Sequence, residues 1–228
     1  MGTHQNMKDV LESAARLQQI VPGAVLVGGA AVSIHAHHRL SQDHDHVLND
    51  LDRRFTIVFE ALAADPGWET TTAREGKIIL GSLDGVEAGI RQLRREKPLE
   101  TEEYVLDSHN RIIIPTLEET LRIKAYFIVN RNQVRDYLDV VALTDKMGVS
   151  HAAKVLIGID PYYSDLNKYT KSISSELVDR LSDPDPKDRK SINHLDTYKD
   201  IVAIYQDWAC ITAKSKELAL EIIKHAEV

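Results

Sequence analysis

The stretch "LVGGAAVSIHAHHRLSQDHDHVL", Leu26 to Leu48, holds a glycine pair, five of the chain's ten histidines and an Asp-x-Asp triplet. Its end, "DHDHVL", alternates charged and neutral side chains over a β-prone finish, which predicts a strand. Period two on that strand puts Asp43 and Asp45 on one face and His44 and His46 on the other. The run from Ala30 to Leu40 has helical spacing, so His35 and His38 are expected to share one helix face while His37 points elsewhere.

Two metal chemistries compete for this stretch. Zinc needs several converging ligands, yet there is no H-E-x-x-H, and D-H-D-H lacks the H-x-H-x-D-H order of metallo-β-lactamases. Such histidines are more often polar packing residues or helix surface than metal ligands. Two carboxylates facing one side of a strand form a compact hard-oxygen site suited to Mg²⁺ carrying a nucleotide's phosphates. The plain alternative is a pair of solvent-facing acids on an edge strand. What favours the site is the order of parts: Gly28 and Gly29 open a helix ahead of the aspartates. Glycines at a helix start let backbone N–H groups approach phosphate, and the helix end attracts negative charge.

Outward from this block, the chain has 228 residues and a formal net charge of −7. That length buries a substantial core, and that charge argues against unselective binding to nucleic acid. A local basic patch remains in "RQLRREK", with Arg91, Arg94, Arg95 and Lys97, for which a solvated strand end is the plain alternative. The lone Cys210 has no disulfide partner and, between Trp208, Ala209 and Ile211, is expected in a helix core. No apolar run reaches the ~18 residues of a membrane span, and the start lacks a signal peptide's apolar core. The expectation is a soluble cytoplasmic protein with no membrane partner.

Residues 7–20 place Val10, Leu11, Ala14, Leu17 and Ile20 at helical spacing, stopped by "VPG". "DLDRRFTIVFEALAADPG" predicts a further helix ended by Pro66 and Gly67. "GKIILGSLDGVEAGIRQL" predicts a hairpin across Asp84-Gly85, a dipeptide that tolerates positive φ. "RIIIP" is extended, and "TLEETLRIKAYFIVN" opens on a capping box of Thr116 and Glu119. "NQVRDYLDVVALTDKMG" predicts another helix ending at Gly148. Residues 182–190 are polar and proline-bearing, a loop, and the final 30 residues have the pattern of one long amphipathic helix. The domain expectation is an α/β core over 1–115 and a helical region over 116–228, with 116–148 completing the active site.

Together, the glycine pair and the D-x-D triplet resemble the signature of the DNA polymerase β-like nucleotidyltransferase superfamily. Within it, "LVGGAAVSIHAHHRLSQDHDHVL" is similar to the GG-A…hR-S-x-D-x-D block of the AbiEii/AbiGii-type nucleotidyltransferases, known mainly as toxins of toxin–antitoxin and phage-defence systems. "TLEETLRIKAYFIVNRNQVRDYLDVVAL" is similar to that family's later E…K-x-x-A…R…RD-x-x-D-x-x-x-L block. The resemblance spans roughly residues 25 to 145. It implies an α+β nucleotidyltransferase fold, a small mixed sheet flanked by helices, with a helical C-terminal part. It makes Asp43 and Asp45 the metal-binding and catalytic pair, Gly28 and Gly29 the phosphate loop, and Arg39 and Ser41 nucleotide-binding residues. Lys124 would meet the nucleotide phosphates, and Asp139, or else Asp136, would be the later acid of the site, flanked by Arg131 and Arg135. Mg²⁺ is the implied cofactor and an NTP the implied substrate. RNA, a tRNA 3′ end above all, is the implied acceptor, with Arg91, Arg94 and Arg95 gripping it, and an antitoxin protein is the implied partner.

The residues themselves leave alternatives open. A lysine among Ile123, Ala125, Tyr126 and Phe127 either snorkels to water or neutralises an anion. Asp136 and Asp139, three apart on one helix face, are equally well read as exposed or arginine-paired acids. Enzymes of the superfamily usually add a third carboxylate from a neighbouring strand. Glu87, the only acid on "VEAGIRQL", is the candidate and shares its face with Gly89 and Arg91. A nucleotidyltransferase fold that binds without turnover, a small-molecule nucleotidyltransferase and a zinc hydrolase are the rival readings.

Overall fold

A computed structural model of the protein describes residues 6–226. The first helix, α1 (Met7–Ile20), begins at a reciprocal cap: Asn6 accepts from the Asp9 backbone N–H at 2.9 Å, and the Asp9 side chain accepts from the Asn6 N–H. Two orphan donors of the first turn are thereby satisfied. After β1 (Val25–Val27), α2 (Gly28–Ala36) starts at the glycine pair. It stops short of the predicted end because His37 takes a left-handed φ of 51°. His37, His38 and Arg39 therefore lie beyond the helix, which corrects the expectation that His35 and His38 share its face.

The strand β2 (His44–Leu48) follows, then α3 (Leu51–Ala63), β3 (Trp68–Arg74), β4 (Ile78–Leu83) and β5 (Val86–Gln92). Asp84 and Gly85 both have positive φ, 51° and 79°, the two-residue turn whose twist suits a hairpin. Strands β6 (Thr101–Val105) and β7 (Arg111–Pro115) pair separately. The main sheet has the order β1-β2-β5-β4-β3, with β2 and β5 parallel and the other neighbours antiparallel. Neither β3 nor β6 is legible in the sequence. β3 is a sheet edge whose residues after Trp68 are exposed, and β6 is likewise largely exposed, so neither carries an apolar alternation.

The chain divides into two compact units. The first comprises residues up to Ile34, Leu40–Arg94 and Pro98–Thr116, and contains the sheet. Two apolar clusters hold it. One gathers Leu17, Leu48, Leu51, Leu62, Ile79 and Ile90, and the other gathers Val10, Ala14, Leu26, Ala30, Ile112 and Ile114.

The second unit comprises His35–Arg39, Arg95–Lys97 and the chain from Leu117 on, so two short segments of the N-terminal half join the helical region. Its helices are α4 (Leu117–Asn130), α5 (Val134–Met147), α6 (Val149–Ile157), α7 (Asp160–Tyr163), α8 (Ile173–Ser182) and α9 (Trp208–Ala226). Gly148, with φ 88°, ends α5 as its spacing predicts. The terminal helix is shorter than expected. It starts at Trp208, after 3-10 turns over 189–197 and 203–206, where Asp207 accepts from the Ala209 N–H at 2.9 Å. Cys210 is half-buried rather than in a core, and Ala209 beside it is exposed. The fold is thus a small mixed sheet flanked by helices with a helical C-terminal part. No helix among the described residues is long and apolar enough to cross a membrane.

Candidate functional site

In the first unit the alternation on β2 follows the period-two reading. His44, His46 and Leu48 are buried, Asp45 is half-buried, and Asp43, one residue ahead of the strand, is exposed. Ser41 Oγ donates to Asp43 Oδ1 at 2.9 Å. Gly28 has a φ of 73°, and a Cβ on it would stand 3.5 Å from Asp45 Oδ2. The turn that opens α2 therefore packs its backbone against one edge of the Asp45 carboxylate. The parallel ladder sets Gly89 of β5 beside Asp45, and a Cβ there would meet Asp45 Oδ1 at 2.7 Å and Leu80 at 2.9 Å. Arg91, two residues further, brings Nε to 3.5 Å from Asp45 Oδ1.

Glu87 is exposed on β5, on the face of Gly89 and Arg91 as expected. It does not join the aspartates: among the described residues no three of His, Cys, Asp and Glu gather as a metal-holding group. The donor set for a cation is two carboxylates, one of them seated where β5 lacks a side chain. That fits Mg²⁺, which commonly takes one or two carboxylates and completes its shell with water and substrate phosphates.

The two strand histidines serve the interior. His44 Nε2 is 3.0 Å from Ser13 Oγ, the two rings meet edge to face, and His46 Nε2 has no hydrogen-bond partner among the described residues. Burial pushes the His44 imidazole down to about 4 and holds His46 well below its usual value, so both are neutral at pH 7.

In the second unit Lys124 and Asp139 are brought together, with the Lys124 ammonium 2.8 Å from Asp139 Oδ2. Arg39 donates from Nε to Asp139 Oδ1 at 3.1 Å and from Nη2 to Oδ2 at 3.3 Å, and His38 Nε2 lies 2.8 Å from Oδ1. All four residues are buried. Burial alone would raise the Asp139 carboxyl, but Arg39 and Lys124 outweigh it and hold it well below the carboxylate range. Burial lowers the His38 imidazole against the pull of Asp139. Of the alternatives open for Lys124, neutralising an anion is the one realised, and the anion is a side chain of this chain. Asp136, three residues before Asp139, pairs with a different cation, Arg131, at 2.8 Å. Arg135 is exposed and bonds Gln133.

The basic patch is split. Arg91 and Arg94 are exposed in the first unit. Arg95 in the second is buried, ion-paired with Glu119 and stacked over the Tyr162 and Tyr163 rings. This corrects its expected place on an acceptor-gripping surface: a guanidinium held by a fully buried carboxylate is part of the packing. Sequence reasoning assigned no role to Glu119 beyond its cap, to His38 beyond its helix, or to Tyr198, whose ring lies under Arg39. Apart from Arg122, three residues from Glu119, their partners are far away in the chain, and no local spacing announces them.

No protein-family model matches the chain. Over 203 residues it is 32% identical to the protein named heme uptake protein MmpL11 of Mycobacterium tuberculosis H37Rv, a match covering 80% of this chain and 20% of that protein. It is 30% identical over 169 residues to the mycolic acid-containing lipids exporter MmpL11 of Mycolicibacterium smegmatis, covering 72% of this chain and 17% of the other. The chain thus spans about a fifth of the length of these curated relatives. Among solved structures, MenT4, a nucleotidyltransferase toxin of M. tuberculosis H37Rv, is similar with a TM-score of 0.64 and 14% identity, over 95% of this chain and 82% of that one. An antigenic nucleotidyltransferase-like protein of Paracoccidioides brasiliensis is similar over 75% of this chain and 91% of that one, at 16% identity and a TM-score of 0.45. The likeness to MenT4 shows that the fold is that of nucleotidyltransferases.

Proposed function

We propose that the chain is a Mg²⁺-dependent nucleotidyltransferase of AbiEii/AbiGii type. It moves a nucleoside monophosphate from an NTP to an acceptor hydroxyl at an RNA 3′ end, with tRNA as the favoured acceptor. Its setting is a cytoplasmic toxin–antitoxin or phage-defence system, with an antitoxin protein as partner. The observation that carries the reading is the pairing of Asp43 and Asp45 on the solvent side of β2, with the Gly28 turn against the Asp45 carboxylate.

Bound Mg²⁺ would supply positive charge to the phosphate oxygens. Asp43 and Asp45 would hold it, Asp43 oriented by the Ser41 hydroxyl. The N–H groups at the start of α2 favour a phosphate beside the pair. The acceptor oxygen bonds the α-phosphorus, the bond to pyrophosphate breaks, and a carboxylate of the pair takes the acceptor proton. By resemblance Lys124 belongs with the nucleotide phosphates and Arg39 with the nucleotide. Asp139 and Asp136 then act through the cations they hold, because both carboxylates are fully buried. Exposed Arg91 and Arg94 are the residues left to meet an RNA backbone.

A second reading, nucleotide binding without turnover, is favoured by two observations. Glu87 does not complete a three-carboxylate group, and Lys124 is already paired with Asp139. Incubating the protein with each α-labelled NTP, Mg²⁺ and total RNA decides between them. Label should pass to one RNA class and be lost in the D43A/D45A double variant. Label transfer that survives in the double variant overturns the mechanism, and NTP binding without transfer selects the second reading.

A further inference from the structure

On β5, Glu87, Gly89 and Arg91 share the sheet face that carries Asp45 on β2, through the parallel pairs Asp45 with Gly89 and Val47 with Arg91. Because position 89 has no side chain, Asp45 Oδ1 leans over β5 into the space a Cβ would fill. That lean brings it to 3.5 Å from Arg91 Nε. Oδ2 faces the Gly28 turn instead. One oxygen of the carboxylate thus meets a guanidinium and the other meets backbone, while Asp43 is held by the neutral Ser41 hydroxyl. The side chains of Arg91 and Asp45 are 49% and 36% exposed, so their contact is solvated and within reach of displacement by a divalent ion.

We propose that Arg91 is a specificity-determining residue that competes with a free divalent cation for Asp45, so that the site takes up its metal together with the NTP rather than alone. The proposal rests on the nucleotidyltransferase reading and gives Arg91 a role separate from acceptor contact. The charge arithmetic is simple. Asp43 and Asp45 present two negative charges, and Arg91 offsets one of them. A free cation must then bind beside a like charge, which costs affinity. A triphosphate arriving with the cation brings its own negative charge, gives the released guanidinium a new partner and removes that cost.

The test is Mn²⁺ binding read by the electron paramagnetic resonance signal of the free ion, first without nucleotide and then with each of the NTPs. Arg91→Gln should bind Mn²⁺ alone up to about fivefold more tightly than the wild-type protein, the factor expected of a solvated ion pair. Arg91→Lys, which keeps the charge, should stay near wild type, and the difference between wild type and Arg91→Gln should shrink when NTP is present. Because Arg91 is exposed, unchanged circular dichroism is expected in both variants. Equal Mn²⁺ affinity of wild type and Arg91→Gln without nucleotide, with Asp45→Asn weakening both, overturns the role of Arg91 and leaves the site reading standing. Mn²⁺ binding indifferent to Asp45→Asn overturns the site reading and this proposal together.

Discussion

Gly89 lies beside Asp45 across the parallel β2–β5 ladder, where a Cβ would come within 2.7 Å of Asp45 Oδ1. The carboxylate occupies the space of a missing side chain, so its direction depends on a glycine whose need is steric rather than conformational.

Gly89→Ala should therefore displace the Asp45 carboxylate while the sheet still forms. A misplacement of about 1 Å at a reacting centre can cost about 100-fold in rate. Nucleotidyl transfer by Gly89→Ala should drop by at least about tenfold, with circular dichroism close to that of the wild type. Full activity in the variant would show that Asp45 has room to adjust and that the close approach is without consequence.

Asp139 should matter to stability before it matters to chemistry. Removing it leaves Arg39 and Lys124 buried around a lost counter-charge. Breaking a buried pair in this way costs about 3–5 kcal/mol. Urea unfolding of Asp139→Ala should show a loss of that order, and replacing Lys124 by Met in the same chain should recover part of it. A loss below about 1 kcal/mol would mean that water reaches the cluster and that the carboxylate is free to serve a substrate.

The buried strand histidines predict acid sensitivity of the metal-free protein. Burial lowers the folded-state value of His44 from 6.5 to about 4, while the unfolded chain keeps the ordinary value. Above pH 6.5 neither state is protonated and nothing is lost. As the pH falls from there toward 4, the unfolded state takes up a proton that the folded state refuses, so stability declines. A shift of this size corresponds to about 3 kcal/mol from His44, and His46 acts in the same direction. Unfolding free energies measured in EDTA between pH 7 and 4.5 should fall for the wild-type protein and fall less for His44→Gln. Identical slopes would place the acid sensitivity elsewhere.

Arg94 and Arg95 are neighbours with opposite expected behaviour. Arg94→Ala should weaken RNA retention, reduce its salt dependence and leave the melting temperature unchanged, as loss of an exposed phosphate contact does. Arg95→Ala should lower the melting temperature, because Glu119 would be left buried without one of its cations. If Arg95→Ala instead weakens RNA binding at unchanged stability, the guanidinium leaves Glu119 when RNA arrives.

Much of this was readable in advance because it is local. The Asp84-Gly85 turn and the Gly148 helix end follow short-range rules of backbone geometry. The Asp43/Asp45 face needs only period two, and the first-unit elements that carry the candidate metal pair follow from patterns within a few residues. The exposed strands β3 and β6 escaped because no core face imposes alternation on them.

By itself the sequence determined most elements of the first unit, the side of β2 on which the aspartates stand and the glycine turn that precedes them, since each follows from backbone geometry over a few residues. Only the tertiary structure decided what the charged side chains do. His38 meets Asp139 across 101 positions of sequence, and Arg95 is claimed by Glu119 and the tyrosines rather than left in water. The reason is physical: a buried charge must be neutralised by whatever cation or anion packing brings within reach, and no spacing in a linear chain records that partner.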